Sequence, residues 1–285
     1  MKRKKEVFCL FEKIEIKRKT LASIAYDSIK AGIVSGEINN NLLLSENTLA
    51  KILNMSRTPI REAIKRLEKS LKLIDSERSE NADEKVNEKI FVVSELGYLH
   101  SVQGKNEEAL KYFHMAKDLG RNDEWIYLHL YYTIKASKGE EEALKYFEEQ
   151  AKIEDKNTVL LTALGNIYML EPANYDAAEK VYQKVFALSG DGQQLYNRGR
   201  ALVGLKKYKE AVEVLLQSRK ISEQEGDVTD GEDMELVRCY IGLKDKKNAE
   251  KYLELAREGA DNVPDEFIDD YENELDQLED LVDEL

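Results

Sequence analysis

Apolar side chains fall at three- and four-residue intervals along most of this 285-residue chain, the spacing that lines one face of a helix. Near the start, Leu21, Ile24, Ala25, Ile29 and Ile33 form such a stripe, and Gly36 stops it. A second, shorter stripe begins at about Ser45 with Leu49, Ile52 and Leu53. Asn54 follows, a residue that tolerates the left-handed turn conformation. Ser56 then suits a helix N-cap, and Pro59 falls in the first turn, where a missing N–H costs little. Ile60, Ala63, Ile64 and Leu67 make the third stripe. Helix, short turn, helix is the predicted order.

Beyond residue 87 the pattern repeats itself. The heptapeptide Glu107-Glu108-Ala109-Leu110-Lys111-Tyr112-Phe113 recurs unchanged 34 residues later as Glu141 to Phe147. The register continues through Ala178, Ala211 and Ala249, each followed four residues on by a large side chain: Phe113, Phe147, Tyr182, Leu215 and Leu253. Upstream, Gly97, Gly165 and Gly199 mark the first helix of three units, with Tyr131 and Val237 as exceptions. A small residue on each of two antiparallel helices lets their axes approach, and the large residue one turn on is expected to fill the gap to the next unit. No single helix pair can bury its apolar face alone, so such units must stack. This pattern resembles the tetratricopeptide repeat (TPR), in about five units. An extra residue near Glu171-Pro172-Ala173-Asn174 and a longer loop from Gly226 to Gly231 interrupt the period.

Composition sharpens the picture. Only three prolines occur, and Leu, Ala, Glu and Lys dominate, all good helix formers. The expected fold class is all-α: a small helix-turn-helix domain followed by an α-solenoid of about five TPR-like helix pairs and a C-terminal capping helix. Charged residues make up 35% of the chain, above the usual ~25%. The net charge of −13 hides a split, because residues 1–74 carry +8 and the rest −21. A basic head on an acidic body points to a polyanion partner for the head. Residues 265–285 hold eleven acidic and no basic side chains, yet Phe267, Tyr271, Leu275, Leu278, Val282 and Leu285 recur at helical spacing. They read as a solubilising cap on the last repeat, or as a partner-binding acidic helix. The expected domains are a basic segment 1–20, the helix-turn-helix 21–80, repeats 87–264 and the acidic helix 265–285.

Several classes are set aside. Apolar runs fall far short of the ~20 residues that cross a bilayer, so no membrane partner is expected. The stretch after Met1-Lys2-Arg3-Lys4-Lys5 is too short for a signal sequence. Cys9 and Cys239 are too far apart to suggest a disulfide framework or metal spacing, and the chain reads as cytoplasmic. His100, His114 and His129 share no helix face at ligand spacing and read as repeat-surface residues. Asp191-Gly192 and Asp230-Gly231-Glu232-Asp233 lack the ligand spacing of a calcium loop. No phosphate loop or nucleophile constellation appears, so nothing argues for an enzyme or a cofactor.

In the head, Ile33-Val34-Ser35-Gly36-Glu37-Ile38, Leu44-Ser45-Glu46-Asn47-Thr48-Leu49-Ala50 and Met55-Ser56-Arg57-Thr58-Pro59-Ile60-Arg61-Glu62-Ala63-Ile64 resemble the winged helix-turn-helix of GntR-type bacterial regulators. The resemblance implies that Ser56, Arg57, Thr58 and Arg61 meet double-stranded DNA at the start of the recognition helix, with Lys65, Ser45 and Asn47 beside them. Arg can read guanine bidentately in the major groove, and hydroxyls at a helix N-terminus suit phosphate. The family's Pro-Gly is Asn40-Asn41 here, its Glu-Gly-Leu is Ser70-Leu71-Lys72-Leu73-Ile74, and the wing should fall within Asp75 to Glu88. That stretch has no Gly and reads as a polar connector.

The TPR resemblance implies a concave groove holding a peptide or protein, lined by Tyr98, Trp125, Tyr132, Asn166, Tyr196, Arg200 and Arg238 among others. One end is aromatic and the other presents Arg200 and Arg238 one repeat apart. Alternatively, the aromatics pack neighbouring helices and the arginines pair with surface carboxylates. Together the two resemblances imply a bacterial transcriptional regulator that binds an operator as a homodimer and senses a peptide or protein. The other reading is a TPR adaptor or scaffold whose wingless head no longer binds DNA.

Overall fold

The computed structural model describes residues 20–22, 24–26, 28, 50–51, 53–63, 65–66, 82–170, 172–226, 229–260, 263 and 268–285. The backbone divides into two compact units, Met1–Arg121 and Asn122–Leu285. Ser45, Asn47, Ile29, Ile33, Leu49, Ile52, Ile64, Leu67 and Phe267, the basic segment 1–19 and residues 70–74 lie outside the described residues.

In the first unit, the helical residues 50–51 end in a left-handed Asn54 at φ 48°. The Met55 N–H bonds the Ala50 carbonyl at 2.8 Å, and the Asn54 N–H bonds that of Lys51 at 3.1 Å. These are the two bonds of a Schellman helix stop, which satisfies carbonyls the helix would leave unpaired. A second helix begins at Arg57. Pro59, Ile60 and Ala63 are buried, as are Ala22 and Ala25. Leu21 and Ile24 differ from expectation: both are exposed, and the small Ala22 and Ala25 form the buried side of their helix. Farther on, α1 (Ala82–Val102) and α2 (Asn106–Asp118) pack as a pair. α1 starts inside the segment expected to be a polar connector.

Among the described residues, the second unit is a run of nine helices: α3 (Glu124–Lys138), α4 (Glu140–Ile153), α5 (Thr158–Tyr168), α6 (Tyr175–Ser189), α7 (Gly192–Gly204), α8 (Tyr208–Glu225), α9 (Asp230–Leu243), α10 (Lys246–Gly259) and α11 (Ile268–Asp283). Each packs on the next in chain order, the mark of a solenoid. Side-chain N-caps from Asp123, Asn157, Asn174, Asp191 and Asp245 start five of them. Among the described residues no strand occurs and no helix is long and apolar enough to cross a membrane.

The small and large positions meet, but within one repeat rather than across to the next. A Cβ on Gly97 would lie 2.6 Å from the Phe113 ring, on Gly165 2.6 Å from Tyr182, and on Gly199 2.4 Å from Leu215. Each large side chain therefore rests on the glycine of its own helix pair. The joint to the following repeat is a second set, Tyr175 on Gly204 and Tyr208 on Gly242, where an added Cβ would come within 2.6 and 2.3 Å. The repeat with Tyr131 solves the same problem differently. Tyr131 stands edge-on to Phe147, with centroids 6.1 Å apart, and its two helices pack less closely than the glycine-bearing pairs. The last pair is covered by α11, which buries Leu275, Leu278 and Val282 in one cluster with Leu253 and Ala256. Leu285 stays exposed.

The histidines also differ from expectation. His100 and His129 are buried: His100 stacks on Tyr112 at 5.4 Å, and the His129 Nδ1 bonds the Trp125 carbonyl at 2.7 Å. His100 thus fills the contact between α1 and α2, and His129 packs along its own helix on Trp125.

Burial raises the hydroxyl pKa of Tyr98 and Tyr127 to about 12. A folded pKa above the unfolded value of 10 means that the stabilisation is complete below pH 10 and is lost as pH rises towards 12. Tyrosinate absorbance should therefore rise in two phases, exposed rings near pH 10 and buried ones later, together with loss of helical circular dichroism. A single phase near pH 10 with full helicity retained would contradict this burial.

Candidate functional site

Two surfaces stand out, one in each unit. In the first, the helix from Arg57 is split by its own periodicity. Successive residues are about 100° apart around a helix, so Arg57, Thr58, Arg61 and Lys65 share one side while Pro59, Ile60 and Ala63 share the other. The first four and Ser56 are exposed, and the last three are buried. The helix is thus fixed by its apolar side with its cationic side outward. Arg57 and Lys65 make no ion pair with any described residue, so their charge is available to a partner. Over these eight residue steps the basic side chains span roughly 12 Å of helix axis, a length that fits within a DNA major groove.

In the second unit an open groove lies between α5 and α7. It holds about 1060 Å³, part of it open to solvent, and its walls include Thr162, Asn166, Met169, Gln193, Tyr196 and Arg200. Asn166 sits at the centre: its Nδ2 donates to Glu124 at 2.8 Å, and its Oδ1 accepts from the Tyr182 hydroxyl at 2.7 Å. Burial pushes the hydroxyl pKa of Tyr182 and Tyr196 upward, so both stay neutral donors. The Arg200 guanidinium lies 5.7 Å from the Tyr196 ring centroid. A smaller pocket of about 330 Å³ opens beside Glu124 and Asn166, walled by Leu128, Ala163, Ile167 and Leu170.

The two arginines are not equivalent. Arg238 bonds Glu235 at 3.0 Å and also pairs with Glu274 of α11. Arg200 stands 3.6 Å from the same Glu235 and is 47% exposed. Arg238 is thus held by the protein itself, and Arg200 faces the groove. Of the other residues expected there, Trp125 is half-buried against His129 and Tyr132 is exposed on α3. Tyr98, in the first unit, is 3% exposed and belongs to the helix core.

A family model described as "Bacterial regulatory proteins, gntR family" matches residues 21–78, and a "Tetratricopeptide repeat" model matches residues 195–225. The chain joins a gntR-type helix-turn-helix to tetratricopeptide repeats. No curated protein sequence matches it. Among solved structures, it is similar to the TPR-like repeats of a Podospora anserina kinesin light chain. There the identity is 18% and the TM-score 0.45, over 59% of this chain and 92% of that one. It is similar also to yeast Tom70, at 14% identity and a TM-score of 0.53, over 91% of this chain. The chain spans 59% of the Tom70 structure. At this identity the Tom70 likeness speaks for the fold alone, an all-α TPR solenoid.

The sequence did not mark Glu124, Ala163, Ile167, Leu170 and Asn197 as groove residues. Gln193 does occupy a groove-lining position of the TPR register. The others became lining residues only through neighbours in other repeats, and no spacing rule marks them.

Proposed function

We propose that the chain is a bacterial, cytoplasmic transcriptional regulator. Its gntR-type head, about residues 21–80, binds operator DNA, and its TPR repeats, about 87–264, bind a peptide or protein that controls it. The observation that carries this reading is the cationic helix side of Arg57, Thr58, Arg61 and Lys65, held outward by buried Pro59, Ile60 and Ala63. Ser45 and Asn47 belong to the same proposed DNA-contacting set. One head offers few phosphate contacts, so a homodimer on two half-sites about one helical turn apart gives the affinity a regulator needs.

The test is selection of genomic DNA fragments on the purified full chain, followed by titration of a selected fragment at rising salt. With about six phosphate contacts, affinity should fall roughly 10³-fold between 50 and 200 mM salt. Sedimentation of the complex should give two chains per site. The adaptor reading has one specific observation behind it: α1 begins at Ala82, within the stretch where the family places its wing. If no fragment is enriched at low salt, the adaptor reading takes over.

A further inference from the structure

Resting on the peptide-binding reading of the repeats, we propose that the groove of the second unit selects one kind of segment. Its ligand is an extended peptide whose aliphatic side chain enters the pocket walled by Leu128, Ala163, Ile167 and Leu170, and whose Asp or Glu side chain meets Arg200.

The pocket sets the first half of this rule. Its walls include aliphatic side chains of α3, of α5 and of the turn after it, beside Tyr127, and its volume of about 330 Å³ includes open space. A methyl-bearing side chain gains there by leaving water, about 25 cal/mol per Å² buried. Glu124 stands at the rim, and Asn166 already donates to one of its carboxylate oxygens. A second carboxylate at this end would meet like charge, so the acidic group of the ligand belongs at the other end.

Arg200 sets the second half. A guanidinium carries five N–H donors. Against them the protein offers the ring of Tyr196 and one carboxylate 3.6 Å away, and that carboxylate is bonded more closely by Arg238. Arg200 therefore keeps donors for an anion, while Glu235 and Glu274 hold Arg238 back. The same groove is lined by Gln193 and Asn197, whose side-chain amides have no partner among the described residues. An amide can both donate to and accept from a peptide main chain. The groove is open to solvent, so a chain can run past Arg200, which favours an acidic side chain over a chain end.

Neighbouring helix axes are roughly 8–10 Å apart, so the pocket and Arg200 lie on the order of 10–20 Å from each other. At about 3.3 Å per residue, the aliphatic and acidic residues are separated by roughly three to six positions.

The experiment screens the full chain against a displayed library of random peptides of roughly twelve residues, long enough to cross that span, with constant sequence on both sides. Enrichment of an aliphatic residue followed or preceded at that separation by Asp or Glu is the expected result. A synthetic peptide of the enriched sequence should then lose at least tenfold in affinity to Leu128→Glu and to Arg200→Glu, both at exposed positions. Arg200→Glu should recover binding when the peptide's acidic residue is changed to Lys. Helical circular dichroism and the urea midpoint of each variant verify that it folds. Enriched peptides of another pattern, or binding that survives Arg200→Glu unchanged, would overturn this assignment while leaving the repeats a peptide-binding domain. Enrichment of no peptide at all would remove both.

Discussion

Replacing Phe147 by Ala is expected to destabilise the second unit by about 3–5 kcal/mol, the usual cost of deleting a buried aromatic side chain. Phe147 is fully buried and stands edge-on to three rings, Tyr127 at 6.2 Å, Tyr131 at 6.1 Å and Tyr146 at 5.5 Å between centroids. Such pairs are worth about 0.5–1.5 kcal/mol beyond the area they bury. The cavity cannot be closed by a slide of α3 onto α4, because Tyr131 keeps the two helices apart. Chemical denaturation of the variant should show a lower midpoint, and hydrogen exchange should show α3 and α4 opening first, since repeats couple mainly to their neighbours. Phe147→Leu keeps most of the volume and should cost less than half as much. An Ala variant with an unchanged midpoint would mean that the ring is not a core element.

The second large effect lies in the head. Arg57→Ala should weaken binding to the selected DNA site by roughly ten- to a hundredfold, since one base-reading Arg is worth about 1–3 kcal/mol. Arg57 is exposed at the first turn of its helix and unpaired with any described residue, so no internal bond is sacrificed when it turns to a base. The loss should fall on the selected sequence and leave binding to unrelated DNA nearly unchanged. Lys65→Ala should do the opposite, weakening all sequences alike and lowering the salt slope by about one phosphate contact. Footprinting and salt titrations of both variants on specific and unrelated fragments separate these outcomes. Equal losses for Arg57→Ala on both kinds of DNA would make Arg57 a phosphate contact instead of a reader.

Much of the architecture was legible because a helix writes its buried side into local spacing. The repeated Glu107–Phe113 heptapeptide, the glycines at 97, 165 and 199 and the acidic tail with Leu275, Leu278 and Val282 all led to helices that the structure contains. Asn54 was legible for the same reason: its left-handed turn is a property of four or five consecutive residues. The partner of each large residue was not. Phe113 and Phe147 end identical heptapeptides, yet one rests on Gly97 and the other faces Tyr131. The difference comes from a helix outside the repeated stretch.

By itself, then, the sequence determined the all-α class, the repeat period and the cationic side of the head helix, because each depends on residues within a turn or two of one another. The tertiary structure alone decided the character of the groove. Asn166 reaches Glu124 across 42 residues, and Glu274 of the acidic tail claims Arg238 from another helix, leaving Arg200 turned to the open space. Pockets and ion pairs form between side chains that stacking brings together, and helical periodicity carries no record of which carboxylate an arginine will meet.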